Sequence, residues 1–120
     1  MAVRAFRGAI QLDADNPTEI QTATAELVRE VMTRNDIATD DLINIYFTAT
    51  PDLTADFPAY AARQMGFTDV PLMCSVEIAV DHAMPRVVRL MALAESSLTR
   101  PEVKHVYLRG AAALRRDLSP

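Results

Sequence analysis

Eleven consecutive residues, 70–80, carry a single charged side chain, the carboxylate of Glu77. A run this apolar predicts a buried strand. Because an ionised carboxylate buried without partners is strongly unfavourable, the fold must supply donors or cations for it. Arg89 follows twelve residues later, on what we predict to be a helix that also holds Arg86. A carboxylate and guanidiniums at one interior place predict a polar ligand site. A Glu77 that reaches solvent at the strand end is the plain alternative.

The composition argues against several classes of function. The 120 residues fit one domain, 1–120, and no apolar stretch is long enough to span a bilayer. The chain begins without the apolar segment of a signal peptide, and its only cysteine, Cys74, cannot form an intrachain disulfide. We therefore expect a cytoplasmic protein without a membrane partner. Two histidines at unrelated spacing and one cysteine form no zinc motif, although carboxylate-only metal sites stay open. The net charge of −4 argues against a nucleic-acid surface.

The cations are unusual, because eleven are arginine and only Lys104 is lysine. Arginine forms planar, bidentate pairs with carboxylates and stays charged when buried, whereas lysine is the usual choice for a solvated surface. This composition is compatible with an enzyme that binds carboxylates. Codon bias in a GC-rich genome explains it equally well, and the alanine-rich composition agrees with that explanation.

The predicted elements alternate between strand and helix, without repeats or a domain linker. They are a strand at 3–11, a helix ending near 34, a turn at 39–41, a strand at 42–50, a short helix from 56 to 66, a strand at 70–80, a helix from 81 or 83 to 97, a strand at 103–109 and a tail at 111–120 that adds a further strand. Half of the residues are hydrophobic, and so small a sheet protein does not easily hide all its faces in one subunit. We therefore expect a homo-oligomer with the site at a subunit boundary.

Local signals refine two of these elements. Asn16 is predicted as the N-cap of the first helix, with Pro17 in its first turn and Glu19 completing a capping box. Asn35 is predicted to end that helix in the left-handed conformation. Gly8 in the first strand indicates a bulge.

Seven segments, taken in order and spacing, resemble one enzyme family. They are Arg7-Gly8-Ala9, Ala49-Thr50-Pro51-Asp52-Leu53, Phe57-Pro58-Ala59 with Arg63, Cys74 with Glu77, Arg89, His105-Val106-Tyr107-Leu108, and Leu114-Arg115 followed by Asp117-Leu118-Ser119. Together they resemble the monofunctional AroH-class chorismate mutases, the Bacillus-type enzymes, over essentially the whole chain. No single segment is diagnostic, but the joint match is specific.

The resemblance implies an α/β (α+β) fold, a single mixed sheet with helices on one side. It also implies a homotrimer with a pseudo-α/β-barrel core and active sites in clefts between subunits. The implied reaction is the Claisen rearrangement of chorismate to prephenate, which needs no cofactor, metal or covalent intermediate. It must instead hold a folded dicarboxylate and stabilise the charge that develops as the ether bond breaks.

The resemblance also implies roles for individual residues. Arg89 is expected at the ether oxygen, and Arg7 with Tyr107 at the side-chain carboxylate of the substrate. Glu77 is expected to accept a hydrogen bond from the ring hydroxyl, which Cys74 also contacts. In an ideal strand residues 74 and 77 point to opposite faces, so both reach one ligand only if the strand twists or ends there.

Further roles fall on a neighbouring subunit and on the tail. Phe57 is expected as an apolar wall and Arg63 near the ring carboxylate, both from the adjacent subunit. Leu114 and Arg115 belong to a tail, 111–120, that is expected to move and to close over the cleft. The chain departs from the Bacillus-type pattern at Tyr60, Met73, Val87 and Arg116, and it has one residue fewer between Arg63 and Cys74. These departures concern substrate affinity more than reaction type.

Two other functions remain open from the sequence. One is an imine or enamine deaminase of the Rid type, which has a similar trimeric architecture, although its C-terminal arginine and acidic segment are not found here. The other is a non-catalytic trimer that binds a small acid. Fold alone does not decide among these functions.

Overall fold

The structure, a computed structural model, describes residues 1–118, with side chains through Arg115. Ser119 and the side chain of Arg116, which the sequence analysis singled out, lie outside the described residues. The strands are β1 (Ala2–Gln11), β2 (Leu42–Ala49), β3 (Leu72–Val76), β4 (Val87–Ser96) and β5 (Val106–Leu108). The α-helices are α1 (Pro17–Arg34) and α2 (Pro58–Gln64), and short 3-10 helices span Thr39–Asp41, Arg100–Glu102 and Arg109–Leu118.

All five strands form one mixed sheet in the order β3-β2-β4-β1-β5. The central strand β4 is antiparallel to both β1 and β2, while β3 pairs parallel with β2 and β5 pairs parallel with β1. Both α-helices pack on one face of this sheet, where the large buried side chains lie: Phe6, Ile10, Phe47 and Leu90 from the strands, with Ile20, Leu27 and Val31 from α1. The fold class predicted from the sequence, a mixed α+β sheet with helices on one side, is confirmed.

Gly8 allows α1 to approach the sheet closely. A Cβ at this position would lie 3.0 Å from Leu27 Cδ1 and 3.1 Å from Val31 Cγ2, so any side chain would crowd the helix. The pairing of β1 with β4 continues without interruption through Gly8 and Leu90. The predicted bulge at Gly8 is therefore wrong, and the glycine serves packing rather than strand bending.

The predicted start and end of α1 are confirmed, and the left-handed residue that follows the helix is displaced by one position from the prediction. Asn16 Oδ1 accepts a hydrogen bond of 2.8 Å from the Glu19 N–H, with Pro17 in the first turn. The Glu19 carboxylate does not complete the box but accepts from the Asp13 N–H instead. Asn35 has φ −109°, and the left-handed residue is Asp36, with φ 53°.

The buried amide of Asn35 joins the end of α1 to the segment before β5. Its Nδ2 donates to the carbonyl oxygens of Val31 and Lys104, at 2.9 and 2.8 Å. Its Oδ1 accepts from the Lys104 N–H at 2.7 Å. These bonds satisfy the buried amide and fix the approach of the chain to the strand that carries Tyr107.

The predicted helix over 81–97 is wrong, because this segment forms the central strand β4. Its leucine, methionine and alanine residues favour a helix in isolation, but pairing on both sides with β1 and β2 outweighs that preference. Val88, Leu90, Ala92 and Ala94 are buried against the helices, and the intervening residues, Arg89 included, face the other way. Arg86 precedes the strand, so neither arginine lies on a helix.

Two predicted strands are shorter in the structure, and one predicted strand is absent from the described residues. The strand predicted at 70–80 is only Leu72–Val76, and the one at 103–109 is only Val106–Leu108. The described part of the tail, through Leu118, forms a 3-10 helix and not a further strand. Ile43 is exposed, unlike Ile45 and Phe47 on the same strand, because the register shifts between Leu42 and Asn44.

The second face of the sheet is covered only at one end within residues 1–118. There Ala111 of the C-terminal 3-10 helix packs with Ala9 and Val87. Elsewhere this face, called here the open face, exposes large apolar side chains, among them Tyr46, Met73 and Met91, which is 41% exposed. In the same described part of the chain, no helix has both the length and the apolar character needed to cross a membrane.

Candidate active site

Four strands place one residue each in a row across the open face. Thr48 on β2 lies opposite Arg89 on β4, Arg89 lies opposite Ala9 on β1, and Ala9 lies beside Tyr107 on β5. Because directly opposed residues project from the same face of a sheet, the side chains of this row share the open face. Arg7, two residues before Ala9, shares it as well.

This row borders a cavity of about 390 Å³. Its lining consists of Arg7, Gly8, Tyr46, Thr48, Arg89, Leu90, Met91, Tyr107 and Arg115. Four side chains singled out from the sequence thus meet in one place, although β1, β4, β5 and the tail deliver them separately. Leu114, also singled out, packs beside Tyr107. The cavity therefore combines three guanidiniums and two phenols on a largely apolar floor.

Glu77 joins this cavity from the end of β3. The strand stops at Val76, and the Glu77 N–H donates to the Ala49 carbonyl at 2.8 Å. Its Oε1 accepts a hydrogen bond of 2.5 Å from Thr48 Oγ1 and lies 3.0 Å from Arg89 Nε. The half-buried carboxylate is thus held by a cation and a hydroxyl, which supports the ligand-site interpretation of the apolar run over that of a solvated glutamate.

The Arg89 guanidinium lies next to the Glu77 carboxylate, but one of its N–H groups has no hydrogen-bond acceptor within residues 1–118. Although its Nε lies within ion-pair distance of Glu77 Oε1, the N–H is not directed at that oxygen. Nε is buried and has no hydrogen-bond partner among the residues that the structure describes. A buried donor without an acceptor is energetically unfavourable, and its presence in a native structure calls for an explanation such as a catalytic role.

Cys74 and Phe57 lie apart from this cavity within one chain. They line a second cavity of about 500 Å³ between the end of β3 and the loop before α2. Cys74 lies opposite Phe47 on the helix-covered face, and its Sγ accepts from the Ala59 N–H at 3.3 Å. The expected opposition of residues 74 and 77 therefore holds, and one chain does not bring both to one point. Phe57 is 72% exposed beside this second cavity.

Arg63 lies near Cys74, outside the cavity of Arg7 and Arg89. It lies in the last turn of α2 with an exposed side chain, close enough to Cys74 for its charge to act on the thiol. Burial raises the pKa of Cys74, while the Ala59 hydrogen bond and Arg63 act in the opposite direction. The thiol is therefore protonated at neutral pH and acts as a neutral group.

His105 supports Arg7 from the segment just before β5. The Arg7 N–H donates to His105 Nδ1 at 3.0 Å, so the imidazole proton resides on Nε2. Burial lowers the pKa of His105, and the positive charges of Arg7 and Arg115 lower it further. The histidine is accordingly neutral at pH 7 and adds no positive charge next to the cationic cavity.

Two cavity residues, Tyr46 and Thr48, were missed by the sequence reasoning. Their hydroxyls contact Ser75 and Glu77, respectively. The signal was present, because apolar Ile45 and Phe47 alternate with positions 44, 46 and 48, which carry polar groups. Within residues 1–118, no group of three or more His, Cys, Asp or Glu side chains could hold a metal ion.

The fold and this cavity belong to a known class of enzyme. The chain is a member of the chorismate mutase type I family, whose model matches residues 3–118. It is 44% identical over 117 residues to chorismate mutase AroH of Thermus thermophilus, with 97% of this chain and 96% of that protein aligned. It is 33% identical over 120 residues to chorismate mutase AroH of Bacillus subtilis (strain 168), covering 99% and 94%.

A solved structure gives the same result for the fold. The chorismate mutase from Clostridium thermocellum superposes with a TM-score of 0.90 at 40% sequence identity, over 92% of this chain and 98% of that one. The family resemblance identified from the sequence is confirmed. Membership in this family decides against the Rid-type deaminase.

Proposed function

We propose that this protein is a chorismate mutase, an isomerase that converts chorismate to prephenate in aromatic amino acid biosynthesis. The family match and the names of both curated relatives support the assignment. The observation that carries it is the meeting of Arg7, Arg89 and Tyr107 in one cavity, with the Glu77 carboxylate against Arg89. The absence of a disulfide partner for Cys74 is compatible with the cytoplasm, where we place the enzyme.

The reaction requires the enzyme to position the substrate and to stabilise the charge that develops in the transition state. In a Claisen rearrangement the ether C–O bond breaks while a C–C bond forms, without a nucleophile or a covalent intermediate. The enzyme must hold the flexible dicarboxylate in its compact conformer, which removes an entropic part of the barrier. It must also place donors at the oxygen that gains negative charge, so that they bind the transition state more strongly than the substrate.

Arg89 is the donor for the ether oxygen. Its buried Nε lacks a hydrogen-bond acceptor among the described residues, and its side chain is 40% exposed, so the guanidinium borders the cavity while held by the sheet. Such a preorganised cation needs no reorientation as charge develops. Arg7, with the Tyr107 hydroxyl, binds the side-chain carboxylate of the substrate, since both line the same cavity from β1 and β5.

Glu77 serves the opposite pole of the substrate. The ring gains positive charge as the ether bond breaks, and a carboxylate next to it is stabilising. Glu77 also accepts a hydrogen bond from the ring hydroxyl. Both contacts that the structure gives this carboxylate within residues 1–118 involve Oε1, so Oε2 is the oxygen available to that hydroxyl.

The site is completed by a second subunit in a homotrimer. The open face exposes Tyr46, Met73 and Met91, and burying such apolar area between subunits is favourable. Phe57 and Cys74 line the second cavity, away from Arg7 and Arg89, and Arg63 lies near Cys74. Packed against a neighbour's open face, they supply the apolar wall, a cation for the ring carboxylate and a contact to the ring hydroxyl.

The tail closes the cleft. Arg115 lines the cavity and Leu114 packs beside Tyr107, so the segment after β5 already lies over one side of the site. The positive charge of Arg115 attracts the dianionic substrate even though the net charge of the chain is −4, because the field near a cleft depends on local groups.

The direct test is an assay of the purified protein with chorismate. We expect loss of the ultraviolet absorbance of chorismate and formation of prephenate, identified by mass spectrometry. The control is the Arg89→Ala protein purified in the same way. A wild-type protein that binds a bicyclic transition-state mimic but does not turn over chorismate would contradict the proposal and favour the non-catalytic binding trimer.

A further inference from the structure

We propose that Thr48 is a positioning residue of this site: its hydroxyl fixes the Glu77 carboxylate so that Arg89 and substrate meet it in a defined orientation. The proposal rests on the proposed function and adds a residue that the sequence analysis did not single out. It follows from one short hydrogen bond, one ion pair and the register of two strands.

The sheet places the hydroxyl next to the ion pair. Thr48 is directly opposite Arg89 on neighbouring antiparallel strands, and on its other side it pairs with Ser75 of β3. Thr48 Oγ1 donates to Glu77 Oε1 at 2.5 Å. A β-branched side chain on a central strand has little rotational freedom, so this donor is rigid.

Glu77 needs such a support because it follows the last residue of β3. Its backbone is held at the Ala49 carbonyl, but its side chain has three rotatable bonds and no strand neighbour of its own. Hydrogen bonds to an ionised carboxylate are stronger than those between neutral groups. The Thr48 hydroxyl therefore selects one orientation of the carboxylate.

The same hydrogen bond also limits how many N–H donors of Arg89 the Glu77 carboxylate can bind. Thr48 Oγ1 and Arg89 Nε both approach Oε1, and the Arg89 N–H is not aligned on that oxygen. Without the hydroxyl, the carboxylate is free to rotate into a two-point pair with the guanidinium, the arrangement that arginine and carboxylates favour. That pair would engage the donors that the transition state requires. The loss of Thr48 should therefore lower kcat more than it raises KM.

The test compares Thr48→Val, which removes the hydroxyl at nearly constant shape, with Thr48→Ser, which keeps it. Thr48→Val is expected to lower kcat by about tenfold or more, the scale of a lost hydrogen bond to a charged group, with a smaller change in KM. Thr48→Ser is expected to stay within about threefold of the wild type, because its hydroxyl still reaches Glu77. Thr24→Val, a buried position on α1, is the matched control and should leave both constants unchanged.

Repeating the Thr48 substitution in a Glu77→Asp protein distinguishes positioning of the carboxylate from a general effect on the structure. Glu77→Asp shortens the side chain by one methylene and removes the 2.5 Å contact. In the Glu77→Asp protein, Thr48→Val should lower kcat by no more than about a further twofold, because the effects of substitutions at coupled residues are not additive. Circular dichroism and the assembly state of each variant confirm folding.

Three results would overturn the proposal: Thr48→Val with unchanged kcat, Thr48→Ser as impaired as Thr48→Val, or full additivity with Glu77→Asp. The wild-type assay is read first. An inactive wild-type protein refutes the proposed function and this proposal with it, whereas an active wild type with an unimpaired Thr48→Val variant refutes this proposal alone.

Discussion

Arg7 and Arg89 are diagonal neighbours on the open face of the sheet. Arg89 lies opposite Ala9 and Arg7 lies opposite Met91, so the two arginines project from the same side of adjacent strands and line one cavity. Glu77 pairs with Arg89, and within residues 1–118 no salt bridge involves Arg7. Two cations brought together in this way disfavour each other until an anion binds between them. We propose this relationship between two strands as the basis for binding a dicarboxylate.

Removal of the Arg89 guanidinium should abolish most of the catalysis. We expect Arg89→Ala to lower kcat by at least about a hundredfold, the scale measured for losing one donor to a developing oxyanion. The measurement is steady-state turnover of chorismate by the folded oligomer. Arg34→Ala is the control, because Arg34 is exposed on α1 and pairs only with Glu30 on its own helix. If kcat of Arg89→Ala equalled that of the control, the role of Arg89 would be wrong.

Shared sites predict complementation between subunits. Arg63→Ala and Arg89→Ala damage opposite halves of the proposed interface, so each variant of the proposed homotrimer should be impaired. After mixing and reassembly, some interfaces combine two intact halves, and partial activity should return. Tagged subunits provide the control, because they report whether exchange has occurred. Exchange without any recovery of activity would argue against a site built from two chains.

The buried hydroxyl of Thr24 predicts a gain in stability. Thr24 is fully buried on α1, and its Oγ1 has no partner within the described residues. Valine has the same shape and a similar helix propensity, so Thr24→Val should raise the free energy of unfolding by about 1 kcal/mol. Urea denaturation at fixed protein concentration measures this change.

Thr50→Val is the matched control for that experiment. The Thr50 hydroxyl donates to Asp52 and accepts from the Val87 N–H at 3.0 Å. Its removal leaves a buried N–H unsatisfied, so the same chemical change should here lower the free energy of unfolding by about 1–3 kcal/mol. Equal changes in the free energy of unfolding for Thr24→Val and Thr50→Val would contradict the prediction, because they would show that hydrogen bonding of the threonine hydroxyl does not determine the effect.

The depressed pKa of His105 predicts a pH dependence of stability. Burial, with Arg7 and Arg115, disfavours the charged imidazole in the folded protein, so below the ordinary value of 6.5 the unfolded chain binds more protons. The contribution of His105 to the free energy of unfolding is fully present above pH 6.5 and is lost as the pH falls from there through the lower pKa of the folded state. His105→Asn keeps an acceptor for the Arg7 N–H but does not titrate.

The measurement is urea denaturation of both proteins between about pH 7 and pH 5, where the linkage operates. The wild-type free energy of unfolding should fall more steeply with decreasing pH than that of His105→Asn. Parallel curves would show that the environment of His105 does not affect its titration.

Local chemistry made part of this fold predictable from the sequence. Asn16, Pro17 and Glu19 marked the start of α1, because capping depends on neighbouring residues alone. The resemblance of scattered segments to one family supplied the candidate site residues and the fold class together. The apolar run around Glu77 correctly indicated a strand whose carboxylate needs partners.

Non-local pairing explains the failures. The segment from Val87 to Ser96 is rich in helix formers, and only its position between β1 and β2 makes it a strand. The same pairing puts Arg89 beside Thr48, a contact between residues 41 positions apart that no local pattern reveals. Gly8 was misassigned for a related reason, since its role depends on side chains of α1.

A crystal structure with a bicyclic dicarboxylate that mimics the transition state tests the central claim most directly. We expect the ligand in the Arg7–Arg89 cavity, with an Arg89 nitrogen within about 3 Å of its ether oxygen. Arg7 and Tyr107 should hold one carboxylate, and Arg63 of a neighbouring subunit should approach the other. A ligand bound elsewhere, or an Arg89 directed into bulk solvent in the assembled oligomer, would contradict the account.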